Sequence, residues 1–170
     1  MLLFFLACTQ TLKIAGEELN PPSSMIYGHS VEQRMMIVLS DLPSLCAELQ
    51  SGEVPRGDWW SLAIWTQNRV TDPGQYSSHA YFRRASDDLS SESVEDTAVI
   101  YEGDREEERD IYSSQETTDA FIDISTIGTD DGQGIYARGS YEASFSEGSL
   151  SGAFTVEACE GVYLFAGMEE

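Results

Sequence analysis

From Met25 onward the chain is built of short apolar runs separated by turn-forming residues, and most of the runs alternate polar with apolar. A period of two sends successive side chains to opposite faces of an extended strand. Strands are predicted at 25–30, 34–40, 58–67, 75–84, 97–102, 120–127, 135–145 and 150–156, with a last short one at 161–165. In the second of these, Met35, Met36, Ile37, Val38 and Leu39 are apolar without interruption, too continuous for an exposed edge. Regularly spaced short strands favour an all-β fold, an antiparallel β-sandwich or flattened barrel of about eight to ten strands.

The C-terminal hairpin has the clearest pattern. Residues 135–145 and 150–156 both alternate, and Ser146-Glu147-Gly148-Ser149 supplies a turn. A two-residue loop at Glu147-Gly148 would set Phe145 opposite Leu150, Ala143 opposite Gly152, Tyr141 opposite Phe154 and Gly139 opposite Val156. All eight then share one face, and slipping by one residue would send Tyr141 and Phe154 to water. Gly139 and Gly152 relieve crowding beside these aromatics or allow bending. Parity puts Cys159 on the polar face, so the strand should end or bulge before it.

One helix interrupts the strands. Leu42, Leu45, Cys46 and Leu49 recur at helical spacing, Ser40 or Asp41 can cap the start, Pro43 fits the first turn and Gly52 the end. Cys46 then points toward the core with the leucines. Residues 9–24 are polar with a Pro21-Pro22 pair, and hold either a short strand at 11–15 or a spacer. This divides the chain into a signal-and-tether segment, 1–22, and a single β-domain, 23–170.

The chain has 170 residues, enough to bury one sizeable core, and a formal net charge of −21. Nucleic acid and anionic membrane surfaces are poor partners for such a chain. Between Ser86 and Asp131 stand 16 of the 30 acids and two basic residues, Arg105 and Arg109. Charge runs of this kind are solvated faces or loops first. A calcium site is the sharper alternative, and Asp130 and Asp131 are its candidate ligands in Gly128-Thr129-Asp130-Asp131-Gly132. That segment has the composition of a calcium loop without the usual alternate-aspartate spacing. A carboxylate pair for glycoside hydrolysis within 101–110 is expected by chance among so many acids.

Three cysteines bear on the compartment. Cys8 follows Phe5-Leu6-Ala7, an order similar to the end of a bacterial lipoprotein signal, where the cysteine becomes lipidated. The apolar run, 2–7, is shorter than a complete signal core, and the first basic residue is Lys13. The competing reading is a chance apolar beginning with an ordinary thiol at Cys8. Export would place Cys46 and Cys159 in an oxidising compartment, where a Cys46–Cys159 disulfide is expected. Without export the expectation reverses to two separate buried thiols. No apolar run reaches the ~20 residues of a membrane-spanning helix.

His29 and His79 are isolated in sequence and read as structural or surface residues. Trp59, Trp60 and Trp65 are the densest aromatic cluster. On a strand Trp60 shares a face with Leu62 and Ile64, and Trp59 shares the other with Trp65. The second face is either covered by another layer, the favoured reading, or an exposed platform able to stack on sugar rings.

The segments MMIVLSDLPSLCAE at 35–48 and YEASFSEGSLSGAFTVEAC at 141–159 resemble a class of uncharacterised bacterial lipoproteins. In these a strand running into "LSD" precedes a helix with one cysteine, and a closing hairpin ends in a second. The resemblance implies an envelope β-sandwich and supplies no catalytic residues. It also implies that Thr9, rather than aspartate, after Cys8 favours the outer membrane or cell surface. The expected protein is non-enzymatic, with a binding or structural role and no cofactor except possible calcium. Lipid would hold it to a membrane, and its carbohydrate or protein partner is unknown. The alternatives are a carbohydrate-binding module using Trp59 or Trp65, a secreted protein, and, third, an envelope hydrolase.

Overall fold

The alternating segments pair in chain order, with one strand left outside, until the sheet meets its own beginning. A computed structural model describes residues 13–14, 17–29, 34–51, 57–85, 96–102, 105–130, 134–159 and 162. Its strands are β1 (Lys13–Ile14), β2 (Glu17–Glu18), β3 (Ser24–His29), β4 (Arg34–Ser40), β5 (Trp59–Arg69), β6 (Gly74–Ala85), β7 (Asp96–Glu102), β8 (Arg105–Asp130), β9 (Gly134–Phe145) and β10 (Gly148–Ala158). The one helix described, α1, is Leu45–Ser51. Strands β3, β4, β5, β6, β8, β9 and β10 form a closed ring, in which β10 returns to β3. Each neighbouring pair is antiparallel except β10 with β3, which is parallel.

The inward side chains make one core. Tyr27, Ile37, Leu62, Phe82, Ile122, Tyr141 and Phe154 all belong to it, so each of the seven strands contributes. A second, smaller core lies on the other side of β3, β4 and β5, under α1. It takes Ile26, Met36, Val38, Trp59 and Ala63 from the strands, and Leu42, Leu45 and Cys159 from outside them. Strand β4 is therefore covered twice. Met35, Ile37 and Leu39 fill the ring, while Met36 and Val38 meet the helix layer. Its unbroken apolar run has this cause.

Four expectations need correction. The helix starts a turn later than expected, at Leu45, with the Ser44 carbonyl accepting from the amides of Ala47 and Glu48. Leu42 precedes a proline and is steered away from helical geometry, and Ser44 turns the chain at φ 60°. Ser40 and Asp41 brace β5 instead of capping: the Ser40 hydroxyl donates to the Trp60 carbonyl, and the Asp41 carboxylate accepts from the Trp60 amide. Second, part of the segment expected as signal and tether, 1–22, belongs to the sheet and core. Lys13 and Ile14 pair with Ser149 and Gly148, Leu19 enters the main core, and the Trp60 indole donates to the Asn20 carbonyl.

Third, the strand expected at 120–127 runs for 26 residues. Its polar, acid-rich first half carries no alternation to read, yet it pairs with β7 and then β6 before reaching β9. Register shifts beside Ser78, Arg84 and Ile124 mark bulges, which let so long a strand bend around the ring. Fourth, the hairpin register is offset by two. Ala143 pairs with Leu150, Tyr141 with Gly152 and Gly139 with Phe154, around a loop of Ser146-Glu147. Neither loop residue has a positive φ, and Gly148 absorbs the bend just after them at φ 153°. An offset of two preserves the face, so Tyr141, Ala143, Leu150, Phe154 and Val156 are buried as expected. Of the last expected strand only Val162 is described, and it is helical and buried in the second core.

Gly139 sits where the β8 bulge and an aromatic ring converge. A methyl group there would overlap the Asp123 carbonyl oxygen and come within 2.8 Å of Phe154 Cζ. A backbone carbonyl in a paired strand cannot swing aside as a side chain can. Gly139→Ala should therefore destabilise the fold by at least about 2 kcal/mol, against a small change for Ser140→Ala on the exposed face; urea denaturation of both variants measures the difference.

Candidate functional site

The two chemically distinctive places are the sulfur bridge with its tryptophan-rich surroundings and the tyrosines inside the ring. Cys46 and Cys159 are joined by a disulfide across a sequence separation of 113. Cys46 is the second residue of α1, and its helix is seated by Ser24. The Ser24 hydroxyl donates to the Leu42 carbonyl at 2.5 Å and accepts from the Leu45 amide at 3.2 Å. Cys159 follows β10 directly, and its amide donates to the Tyr27 carbonyl at 2.8 Å. Parity alone put Cys159 on the polar face. The strand ends at Ala158, and Cys159 turns into the second core with 4 % of its surface exposed.

The tryptophans do not make an open platform. Trp59 is 4 % exposed because the α1 layer covers its face of β5. Trp60 lies in the ring, stacked against Phe82 with centroids 6.3 Å apart. Trp65 is half-buried at the margin of the second core, and its ring stacks on His79 at 5.7 Å with an interplanar angle of 10°. Both tryptophans of the alternative sugar platform thus pack against protein, as the favoured reading of a covered face expects. The pairing Trp65 with His79 is a direct cross-strand pair of β5 and β6, visible from sequence only once that register is known. Further along the same outer face of β6, Arg83 lies over the Tyr81 ring at 4.4 Å. Phe121, at 39 %, is the large hydrophobic left exposed among the described residues.

His29 is placed on β3 with its backbone opposite Met35. Asp130 ends β8, paired through its backbone with Gly134. Cys8 and Asp131 lie outside the described residues. Among the described residues no three His, Cys, Asp or Glu side chains gather as metal ligands would. Also among them, no helix is long and apolar enough to cross a membrane, a statement that does not bear on strands.

Inside the ring, Tyr27 and Tyr141 are 1 % and 3 % exposed. The reading of the hairpin placed Tyr141 in the core but did not weigh its hydroxyl, which has no hydrogen-bond partner among the described residues. Desolvation raises the pKa of both phenols above the ordinary value of 10.0, that of Tyr141 far above it. A buried phenolate would be costly, so these groups stay neutral while the ring is closed.

The chain matches no protein-family model, and no curated protein or solved structure matches it. Its functional reading rests on its own residues.

Two outcomes follow. Replacing both Cys46 and Cys159 with alanine should lower stability by about 4–5 kcal/mol, the chain-entropy value for a loop of this length; chemical denaturation against the oxidised protein checks it. For the tyrosines, the folded pKa exceeds the unfolded one, so the unfolded chain loses protons first as pH rises. Stability is fully present below pH ~10 and falls above it, by up to about 1.4 kcal/mol per pH unit for each group. Tyr141→Phe should leave stability near neutral pH unchanged or slightly higher and should flatten the alkaline decline, as read from denaturation midpoints between pH 7 and 11.

Proposed function

We propose that the protein is a non-enzymatic binding or structural β-barrel of the cell envelope, exported and held at a membrane surface by lipid on Cys8. The Cys46–Cys159 disulfide carries this reading. Disulfides persist outside the reducing cytosol. Pairing these two sulfurs leaves Cys8 as the third, directly after Phe5-Leu6-Ala7. Thr9 in the following position favours the outer membrane or cell surface.

We read the closed sheet as a flattened barrel rather than two stacked sheets, because its seven strands feed a single interior cluster. The net charge of −21 keeps such a domain soluble beside the membrane and away from anionic surfaces. Lipid, not charge, then supplies the attachment. Carbohydrate binding through Trp59 is disfavoured by its cover, and Trp65 offers only the part of its ring that His79 and the second core leave free.

The test is metabolic labelling with an alkyne-tagged fatty acid, in a bacterium expressing the chain from its own gene, followed by membrane fractionation. Label on the wild-type chain, its loss in Cys8→Ser, and resistance of Cys46 and Cys159 to alkylation without reductant are expected. An unlabelled chain whose three thiols all alkylate without reductant would overturn the reading.

A further inference from the structure

The sulfur bridge crosses the shortest ladder in the closed ring. Neighbouring strands elsewhere in the ring share long antiparallel registers, such as Gly148 to Glu157 of β10 against β9. Strands β10 and β3 meet in parallel at two positions only, Glu157 with Ile26 and Ala158 with Tyr27. One further bond extends this seam, from the Cys159 amide to the Tyr27 carbonyl.

The two cysteines belong to opposite sides of that line. Cys46 rides on α1, and α1 is fixed to the β3–β4–β5 side through Ser24, Ile26, Val38 and Leu45. Cys159 continues β10. The Sγ–Sγ bond is therefore a covalent clasp across the seam, and Tyr27 is the lumen residue standing behind it.

We propose that Cys46–Cys159 is a redox latch: its reduction opens the ring along β3 and β10 while the remaining antiparallel ladders stay formed. The reductant is a dithiol. One of its thiolates attacks Sγ of Cys46, the half-buried partner, and Cys159 leaves as a thiolate. The second thiol of the reductant resolves the mixed disulfide. Two electrons pass from the dithiol, which becomes a disulfide, to the Cys46–Cys159 bond, which becomes two thiols after protonation. This inference goes beyond the envelope reading and does not depend on the lipid anchor.

Hydrogen exchange with residue-level readout tests it on the full chain carrying Cys8→Ser, oxidised and then treated with dithiothreitol. Reduction should speed exchange of the seam amides, Tyr27 and Cys159 among them, by more than about tenfold. Central amides of the β5–β6 and β6–β8 ladders, such as Leu62 and Ala80, should accelerate only as far as the loss of global stability requires and should stay far better protected than the seam. Reoxidation should restore the seam. The Cys46→Ser/Cys159→Ser chain should exchange like the reduced protein, and in-place reduction serves alone if that chain does not fold. Unchanged seam amides on reduction would overturn the latch. So would seam and central amides left equally protected after reduction, since the bond would then stabilise the whole fold without a local opening.

Discussion

Seven strands that alternate in direction cannot close on themselves antiparallel. The first and last must run the same way, and this parity governs the rest of the molecule. Parallel pairing is the less stable kind per residue, and here it spans two positions. A sheet closed so briefly needs something beyond its own ladder. The chain provides it by laying α1 on the outside of β3 and β4 and joining that helix to the residue after β10. The second core, the buried hydroxyl network around Ser24 and the disulfide are one assembly around the seam.

This explains why β4 is the most apolar segment. An ordinary barrel strand hides one face and shows the other to water. Strand β4 and its neighbours lie between two hydrophobic layers, so Met36 and Val38 are as buried as Met35 and Ile37. Ser40 and Thr66 are buried beside them, and each is satisfied: Ser40 by the Trp60 carbonyl and the Leu42 amide, Thr66 by the Met35 amide and the Asn68 carbonyl. Paired in this way, polar atoms can sit in a core at little cost.

What the sequence disclosed followed from periodicity. The strands, a β4 too apolar for an exposed edge, the shared face of the closing hairpin and the covered Trp59 are all consequences of which positions are apolar. What it concealed followed from local competition. Two hairpin turns offset by two residues bury the same side chains, so the face was legible while the loop was not; Gly148 serves beside the turn rather than inside it. The helix start was ambiguous because Ser40, Asp41 and Ser44 are all capable of capping, and only the tertiary use of the first two by Trp60 removes them. The bridge between Cys46 and Cys159 was legible only through an assumption about compartment. Trp65 against His79 required a cross-strand register that no sequence pattern specifies.

The acid-rich stretch was the least legible, because its charges do not announce a strand. Its first half nevertheless forms a ribbon with β7, and the register gives the charges a physical role. Val99, Ile100 and Tyr101 stand opposite Glu108, Glu107 and Glu106. A run of Ala98, Val99, Ile100 and Tyr101 has high β-propensity, and among the described residues β7 pairs only with β8. Such an edge is a template for pairing with another chain. Glutamates at three of the four opposing positions, Arg109 at the fourth, and Asp96 and Glu102 at its ends leave the ribbon net negative, which opposes the approach of a second copy. Six of the chain's 30 acids, Asp96, Glu102, Glu106, Glu107, Glu108 and Asp110, thereby fall where a β-protein most needs repulsion.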